Sequence, residues 1–147
     1  MEVRVEKIYS NKKTSGFKII LQGKTPYFLK VFHHPINLKK VASSSLLLSR
    51  PEREFKFSRL LREKGFAVPD VFEFHCRKTL KIFSLNIGYT KSVYLNGLTT
   101  LDKHINSEAF RNLLKESVVL LARLHRSGFI HRDISLSNFS LTAFMIF

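Results

Sequence analysis

The residues best suited to chemistry form one short stretch near the C-terminal end of the sequence. The stretch reads His131-Arg132-Asp133-Ile134-Ser135-Leu136-Ser137-Asn138. Phosphoryl transfer requires a carboxylate beside the attacking hydroxyl and an oxygen ligand for Mg²⁺ near the phosphates. Asp133 fits the role of the base, and Asn138 fits the role of the metal ligand. The spacing therefore predicts a phosphotransfer site that uses ATP and Mg²⁺, with His131 and Arg132 as further catalytic-loop residues.

A lysine inside an apolar strand is the second candidate. Lys30 lies in the run Phe28-Leu29-Lys30-Val31-Phe32, and an ammonium group is costly to bury unless it meets an anion. Glu54, in a helix expected to begin at Ser49, shares a face with Phe57 and Leu61. We predict that Lys30 and Glu54 face each other and bind the nucleotide. The alternatives are a lysine on the wet face of a strand and a solvated glutamate near a helix start.

Two neighbouring features qualify this prediction. Glu52 is the rival of Glu54, but Lys56 lies four residues further on and places Glu52 toward solvent. No glycine-rich loop precedes Lys30, since only Gly16 lies between the first two expected strands. The backbone of residues 11–16, with Lys12 and Lys13, is the candidate for covering the phosphates.

The composition limits the class of protein. The chain has 147 residues, 44% of them hydrophobic, and a net charge of +14, which is typical of a folded domain with an affinity for phosphates. One cysteine excludes an internal disulfide and fits a reducing, cytoplasmic compartment. We expect no signal peptide and no transmembrane segment, because no apolar run is long enough. Charge alone does not choose among nucleotides, nucleic acid and an anionic membrane surface.

Hydrophobic periodicity and turn residues predict the order of elements. Strands are expected at residues 3–8, 17–21, 27–32 and 71–76, with one or two more within 80–95. A helix should begin at Ser49 and end at Gly65, and a longer one should run from about Ser107 to Ser127 and end at Gly128. Residues 36–48 are expected to form a short helix or a mobile connection. The apolar face of the long helix should comprise Phe110, Leu113, Leu114, Ser117, Val118, Leu121, Leu124 and His125. A hinge between lobes is expected around Tyr89–Thr90 and residues 95–97.

Other side chains carry weaker signals. His33, His34, His75 and His104 lack metal-ligand spacing and are expected at the surface or in ordinary packing. Cys76 has no cysteine partner and is interpreted as a small core residue.

Three stretches of the chain resemble the bacterial lipopolysaccharide core kinase family, of the Kdo/heptose kinase type, within the protein-kinase-like superfamily. They are Tyr27–Phe32; Arg53-Glu54-Phe55 with residues 60–69; and residues 124–133 with Asn138-Phe139. The resemblance extends over about residues 17–139. It implies an α+β, protein-kinase-like fold with an antiparallel-sheet N-terminal lobe and one helix. Residues 1–97 would form that lobe and the hinge, and 98–147 the start of a helical C-terminal lobe.

The same resemblance implies ATP-dependent phosphorylation of a sugar hydroxyl in the lipopolysaccharide core. The acceptor would be an anionic glycolipid, reached by peripheral contact with the cytoplasmic face of the inner membrane. No Asp or Glu follows Asp133, so an acidic Mg²⁺ ligand is missing there, and we expect a chain truncated after the catalytic loop, with little or no activity alone. The alternatives are another kinase-like phosphotransferase, with a protein or small-molecule acceptor, and a non-catalytic basic module that binds nucleotides or nucleic acid. The aromatic residues occupy core-like periodic positions, which disfavours nucleic acid.

Overall fold

A computed structural model describes residues 2–33, 48–79, 83–97 and 101–130, with residues 77–79 and 83–87 described by their backbone alone. It also describes the backbone of two short strands, Phe139–Ser140 and Met145–Ile146, which pair antiparallel. Most of the 36–48 segment lies outside the described residues, so the helix or mobile connection expected there stays a prediction.

The main element is a five-stranded antiparallel sheet. Its strands are β1 (Val3–Ser10), β2 (Thr14–Leu21), β3 (Tyr27–Phe32), β4 (Val71–Thr79) and β5 (Phe83–Val93). They lie in the order β1-β2-β3-β5-β4, and every neighbouring pair is antiparallel. The expected meander of the first three strands is confirmed. Tyr89 and Thr90 lie within β5, so the strand continues through the first part of the expected hinge.

The second strand begins three residues earlier than expected. Asn11 closes a tight turn, because its Oδ1 accepts hydrogen bonds from the backbone N–H groups of Lys13 and Thr14, at 2.8 and 2.9 Å. Such an Asx turn needs few residues, so the ladder resumes at Thr14. Gly16 therefore lies inside β2, opposite Lys30.

The first helix, α1, spans Arg50–Glu63 and has the expected ends. The Ser49 hydroxyl accepts the N–H of Glu52 at 3.3 Å, which is the N-cap arrangement. At the other end Gly65 adopts φ of 75°. Its N–H bonds the carbonyl of Arg62, and the N–H of Phe66 bonds the carbonyl of Leu61. This pair of bonds is a Schellman motif, which favours glycine at the left-handed position.

The second helix, α2, spans Phe110–Arg126 and ends in the same way. Gly128, with φ of 85°, donates to His125, and Phe129 donates to the carbonyl of Leu124. The expected stop at Gly128 is confirmed. A 3-10 helix at Leu101–His104 precedes α2.

A small core forms around the end of α1 and one side of α2. Its buried members are Phe66, Val68, Leu101 and Leu124, with Leu61, Phe110, Leu113, Leu120, Leu121 and Phe129 packed against them. The two Schellman phenylalanines, Phe66 and Phe129, meet edge to face at 6.5 Å. Each helix stop therefore also places one aromatic ring in this core.

The apolar face expected for α2 is partly wrong. Leu114, Val118 and His125 are exposed, whereas Leu120, absent from the expected face, packs on the core. Among the described residues, Phe66, Val68 and Leu101 form the buried core on one side of α2, and the stripe that they cover is narrower than the periodicity indicates.

The chain divides into two compact units. One comprises residues 1–60 and 70–94 and contains the sheet; the other comprises residues 61–69 and 95–147. Over the described ranges, no helix combines the length and the apolar character that crossing a membrane requires.

Candidate functional site

Lys30 occupies the middle of the sheet. It lies on β3 between Gly16 of β2 and Thr90 of β5 in the strand register. Directly opposed residues of neighbouring strands point to the same face. Lys30 and Thr90 therefore share one face, and α1 brings Glu54 to it.

The two side chains hold the Glu54 carboxylate from both sides. Lys30 Nζ donates to Glu54 Oε2 at 2.7 Å, and Thr90 Oγ1 donates to Glu54 Oε1 at 3.0 Å. The prediction that Lys30 and Glu54 face each other is confirmed. Glu52 instead pairs with Lys56 at 2.9 Å, as the helix spacing indicates.

The ion pair is accessible to a ligand. The side chains of Lys30 and Glu54 are 29% and 30% exposed, and a pair with this exposure contributes about 1 kcal/mol or less to stability. An ammonium group has three protons. Among the described residues Glu54 is the only hydrogen-bond acceptor of Lys30, so two protons remain for an anion.

Sequence reasoning missed Thr90 as a member of this site. Thr90 is 2% exposed, and its hydroxyl donates to Oε1, the Glu54 oxygen that Lys30 does not contact. A threonine in a strand normally indicates only β-propensity. Its contact with Glu54 depends on β5 lying next to β3, which the tertiary fold decides.

The hairpin between β1 and β2 differs from a backbone phosphate cradle. The N–H groups of Lys13 and Thr14 are engaged by Asn11, and that of Asn11 bonds the carbonyl of Thr14. These three amides are therefore already bonded, and the hairpin also presents the exposed ammonium groups of Lys12 and Lys13.

Gly16 has a packing role. An added Cβ would lie 2.4 Å from Tyr9 Cε1 and 2.7 Å from Phe28 Cζ. The rings of Tyr9 and Phe28, with centroids 6.2 Å apart, thus occupy the space that a side chain at residue 16 would need.

A second polar cluster joins β4 to β5 on the opposite face. Glu73 accepts hydrogen bonds from Tyr89 Oη at 2.9 Å and from Lys91 Nζ at 2.8 Å. The hydrogen bond from Lys91 lowers the pKa of Glu73. The hydrogen bond to Glu73 raises the pKa of Tyr89 and also that of Lys91. This cluster was not expected from the sequence.

The remaining candidates stand as follows. The catalytic-loop residues His131, Arg132, Asp133 and Asn138, like His34, lie outside the described ranges, so their roles stay predictions. Within those ranges no group of three or more His, Cys, Asp or Glu side chains is placed to hold a metal ion. His33 and His75 are exposed, and Cys76 is half-buried instead of in the core.

Comparison with known proteins gives a structural match only. No family model matches the chain, and no curated protein matches it either. Among solved structures, the chain is similar to the MAP kinase LmaMPK10 from Leishmania major, with a TM-score of 0.54 and 16% identity. The match covers 98% of this chain and 45% of that kinase.

At this identity the similarity shows the fold alone. The described residues have a protein-kinase-like fold, in which a five-stranded antiparallel sheet with α1 corresponds to the N-terminal lobe of a kinase. The expected fold class, α+β and protein-kinase-like, is confirmed. The chain spans less than half the length of the kinase it matches.

Proposed function

We propose that this protein is a kinase-like phosphotransferase that binds ATP through Lys30 and Glu54. The observation that carries the proposal is the 2.7 Å ion pair between Lys30 and Glu54, held by Thr90 on the central strands of a kinase-like sheet. A lysine whose charge is anchored by one carboxylate can offer its other protons to nucleotide phosphates.

The chemical step is assigned to the catalytic-loop stretch. As the acceptor oxygen bonds to the γ-phosphorus of ATP and ADP leaves, Asp133 accepts the proton of the acceptor hydroxyl. Arg132 and His131 hold the loop, and Asn138 would hold Mg²⁺. When bound, the metal ion neutralises charge on the phosphates. The support is the residue spacing, since the described residues do not include this loop.

The phosphate cover is assigned to side chains. Because Asn11 engages the amides of Lys13 and Thr14, we assign the contact with the outer phosphates to the ammonium groups of Lys12 and Lys13. A glycine-rich loop would use backbone amides for this purpose.

The acceptor is a sugar hydroxyl of the lipopolysaccharide core. This part of the proposal rests on the resemblance of residues 17–139 to the lipopolysaccharide core kinase family. The net charge of +14 suits an anionic glycolipid and peripheral contact at the cytoplasmic face of an inner membrane. Residues 1–97 would act as the nucleotide-binding lobe with the hinge, and 98–147 as the start of the second lobe.

Binding of ATP to the 147-residue chain tests the proposal. Lys30→Met should weaken ATP binding about tenfold or more, because a charged hydrogen bond to phosphate is lost. Lys24→Met is the matched control, since Lys24 is an exposed lysine in the turn between β2 and β3. Equal affinities of the Lys30→Met and Lys24→Met variants would refute the nucleotide site.

Phosphate transfer to the lipopolysaccharide core tests the proposed catalytic residue and the proposed acceptor. Asp133→Ala should leave ATP binding intact and abolish any transfer. Phosphate transfer that survives Asp133→Ala would show that Asp133 is not the catalytic base. Transfer to a protein but not to the lipopolysaccharide core would show that the acceptor is a protein instead of a sugar.

A further inference from the structure

The strand β1 forms one edge of the five-stranded sheet, and its outer side is exposed. Among the described strands it pairs with β2 alone. Seven of its eight residues are exposed, and only Glu6 is partly buried. An uncovered edge strand presents a row of backbone N–H and C=O groups to which another strand can pair. The nucleotide site proposed above makes no use of β1.

The backbone groups that point away from the sheet belong to alternate residues of β1. The N–H of Gln22 donates to the carbonyl of Glu2 at 3.3 Å, so these two residues form a hydrogen-bonded pair at the end of the β1–β2 ladder. Hydrogen-bonded and non-hydrogen-bonded pairs alternate along an antiparallel ladder. In the observed register, Arg4 and Glu6 therefore bond toward β2. The residues whose backbone groups turn outward are Val3, Val5 and Lys7.

The side chains of β1 separate by chemistry onto the two faces of the sheet. Arg4 and Glu6 lie on the face that carries Lys30. Arg4 Nη2 lies 3.1 Å from Glu6 Oε1, and the two side chains are 73% and 35% exposed. Val3 and Val5 lie on the other face and are 51% and 58% exposed. The strand thus presents two opposite charges on one face and two apolar side chains on the other.

These features fit a second copy of β1, antiparallel, in one register. Outward backbone groups must meet outward backbone groups, so odd-numbered residues lie opposite odd-numbered residues. When Val5 lies opposite Val5, Arg4 of each copy lies opposite Glu6 of the other. The two neighbouring registers that satisfy the backbone place Arg4 opposite Arg4 or Glu6 opposite Glu6, and like charges directly opposite each other are destabilising.

The other edge of the sheet is less suited to such pairing. The register of β4 with β5 is interrupted between Val71 and Glu73 and again between Cys76 and Lys78. Bulges of this kind bend a strand away from a straight partner. In β1 the register shift lies between Lys7 and Tyr9, beyond the stretch from residue 3 to residue 7 that the pairing would use.

We propose that β1 pairs with β1 of a second copy of this chain, antiparallel and centred on Val5, to form a symmetric dimer. The pairing joins the five strands of each copy into one continuous sheet with about six new backbone hydrogen bonds. The valines of the two copies meet on one face, and two Arg4–Glu6 pairs form on the other. Because the two-fold axis of an antiparallel pair is perpendicular to the sheet, the Lys30 side chains of both copies lie on the same side. About ten hydrogen bonds are typical of a stable interface, so the dimer should be weak and dependent on concentration.

Charge reversal tests the register. Sedimentation velocity of the 147-residue chain, from about 10 µM to about 1 mM in about 0.15 M NaCl, measures the association. Arg4→Glu and Glu6→Arg should each weaken it about tenfold or more, because both symmetry-related pairs then carry like charges. Mixed in equal amounts, the two variants should associate at least as tightly as the parent, since every pair is again opposite. Lys115→Glu is the matched control: it makes the same change in net charge as Arg4→Glu at an exposed position of α2 and should not weaken association.

Amide hydrogen exchange tests the location of the interface. The N–H of Val5 points outward and should exchange slowly only at concentrations where the dimer forms, whereas the N–H of Arg4 is bonded within the chain and should be protected at every concentration. A chain that stays monomeric up to about 1 mM would overturn the proposal. So would a dimer that leaves the Val5 amide unprotected, or a mixture of the two charge variants that fails to associate.

The dimer and the nucleotide site can fail separately. Lys30→Met should leave association unchanged, because Lys30 lies two strands away from β1. Association without any ATP binding would keep the dimer and refute the nucleotide site. ATP binding by a chain that remains monomeric would do the reverse.

Discussion

At the scale of single residues, Thr90 decides how the candidate site is held. Glu54 has two carboxylate oxygens, and Lys30 satisfies only one of them; the Thr90 hydroxyl satisfies the other from a position that is 2% exposed. The geometry of the pair thus depends on a neutral neighbour that carries no charge of its own.

Replacing Thr90 with valine removes the hydroxyl but keeps the shape of the side chain, so it measures the contribution of the hydroxyl alone. Thr90→Val leaves Glu54 Oε1 without this donor, which should lower the free energy of unfolding by about 1–2 kcal/mol and weaken ATP binding. Urea denaturation and ATP titration measure the two effects. Thr90→Ser, which keeps the hydroxyl, is the control and should retain most of the ATP affinity; a valine variant that binds ATP like the parent would contradict the positioning role.

Two strand glycines should respond differently to alanine. At Gly88 an added Cβ would lie 1.9 Å from the backbone oxygen of His75, whereas at Gly16 the nearest atoms are the ring ends of Tyr9 and Phe28. Rings rotate more readily than a paired backbone moves. Gly16→Ala should therefore cost about 1–3 kcal/mol in the free energy of unfolding, and Gly88→Ala should cost more. Chemical denaturation of both variants measures this, and a larger loss at residue 16 would contradict the packing argument.

At the scale of elements, β4 is tied to β5 by charge as well as by its backbone ladder. Glu73 on β4 accepts hydrogen bonds from both Tyr89 and Lys91 on β5. Lys91 Nζ also lies 5.7 Å from the ring centroid of Tyr27 and 5.4 Å from that of Tyr89, which extends the cluster toward β3. These contacts hold the edge strand β4 to β5, the strand that supplies Thr90 to the site.

The cluster predicts a pH dependence with a definite sign. The pKa of Glu73 in the folded protein is lower than its ordinary value of 4.5. Its contribution to the free energy of unfolding is therefore complete above pH 4.5 and is lost as the pH falls through the folded pKa. The pKa values of Tyr89 and Lys91 are raised, so their contributions are present below about pH 10 and are lost as pH rises further.

Glu73→Gln should remove this dependence. Unfolding free energies measured from pH 6 down to about pH 3 should fall less steeply for the variant than for the parent. Tyr89→Phe, which keeps Lys91, should give an intermediate slope. Parallel curves for all three proteins would show that the cluster does not contribute to acid stability.

At the scale of the whole molecule, the main electrostatic feature is the excess of positive charge. Lysine and arginine total 25 against 11 aspartate and glutamate residues, so mutual repulsion among the surplus cations opposes the compact state. The same field raises the local concentration of phosphorylated ligands such as the nucleotide of the proposed site.

Added salt should therefore stabilise the chain. Raising NaCl from about 0.05 M to about 0.5 M shortens the screening length several-fold and should raise the melting temperature by a few degrees, measured by circular dichroism. A variant with glutamine at Lys7, Lys12 and Lys24, all exposed, is the control and should respond less. A melting temperature that falls with salt would show that ion pairs outweigh repulsion.

Features that depend on local chemistry could be predicted from the sequence. Ser49 starts α1 by capping it, and Gly65 and Gly128 end their helices because each supplies the left-handed residue of a Schellman motif. Alternating apolar residues gave the three-stranded meander, and the side that Glu54 takes on α1 follows from helical spacing. Lys30 and Glu54 were identifiable on this basis because each is an ionisable residue in an apolar pattern.

Which distant residues meet depends on the tertiary fold and could not be predicted in this way. Thr90 joins the site because β5 inserts next to β3, and no periodicity encodes the order of strands in a sheet. The narrow buried face of α2, with Leu114 and Val118 exposed, depends on how much surface Phe66, Val68 and Leu101 cover. In both cases the deciding contacts join residues far apart in the chain, and local propensity does not contain that information.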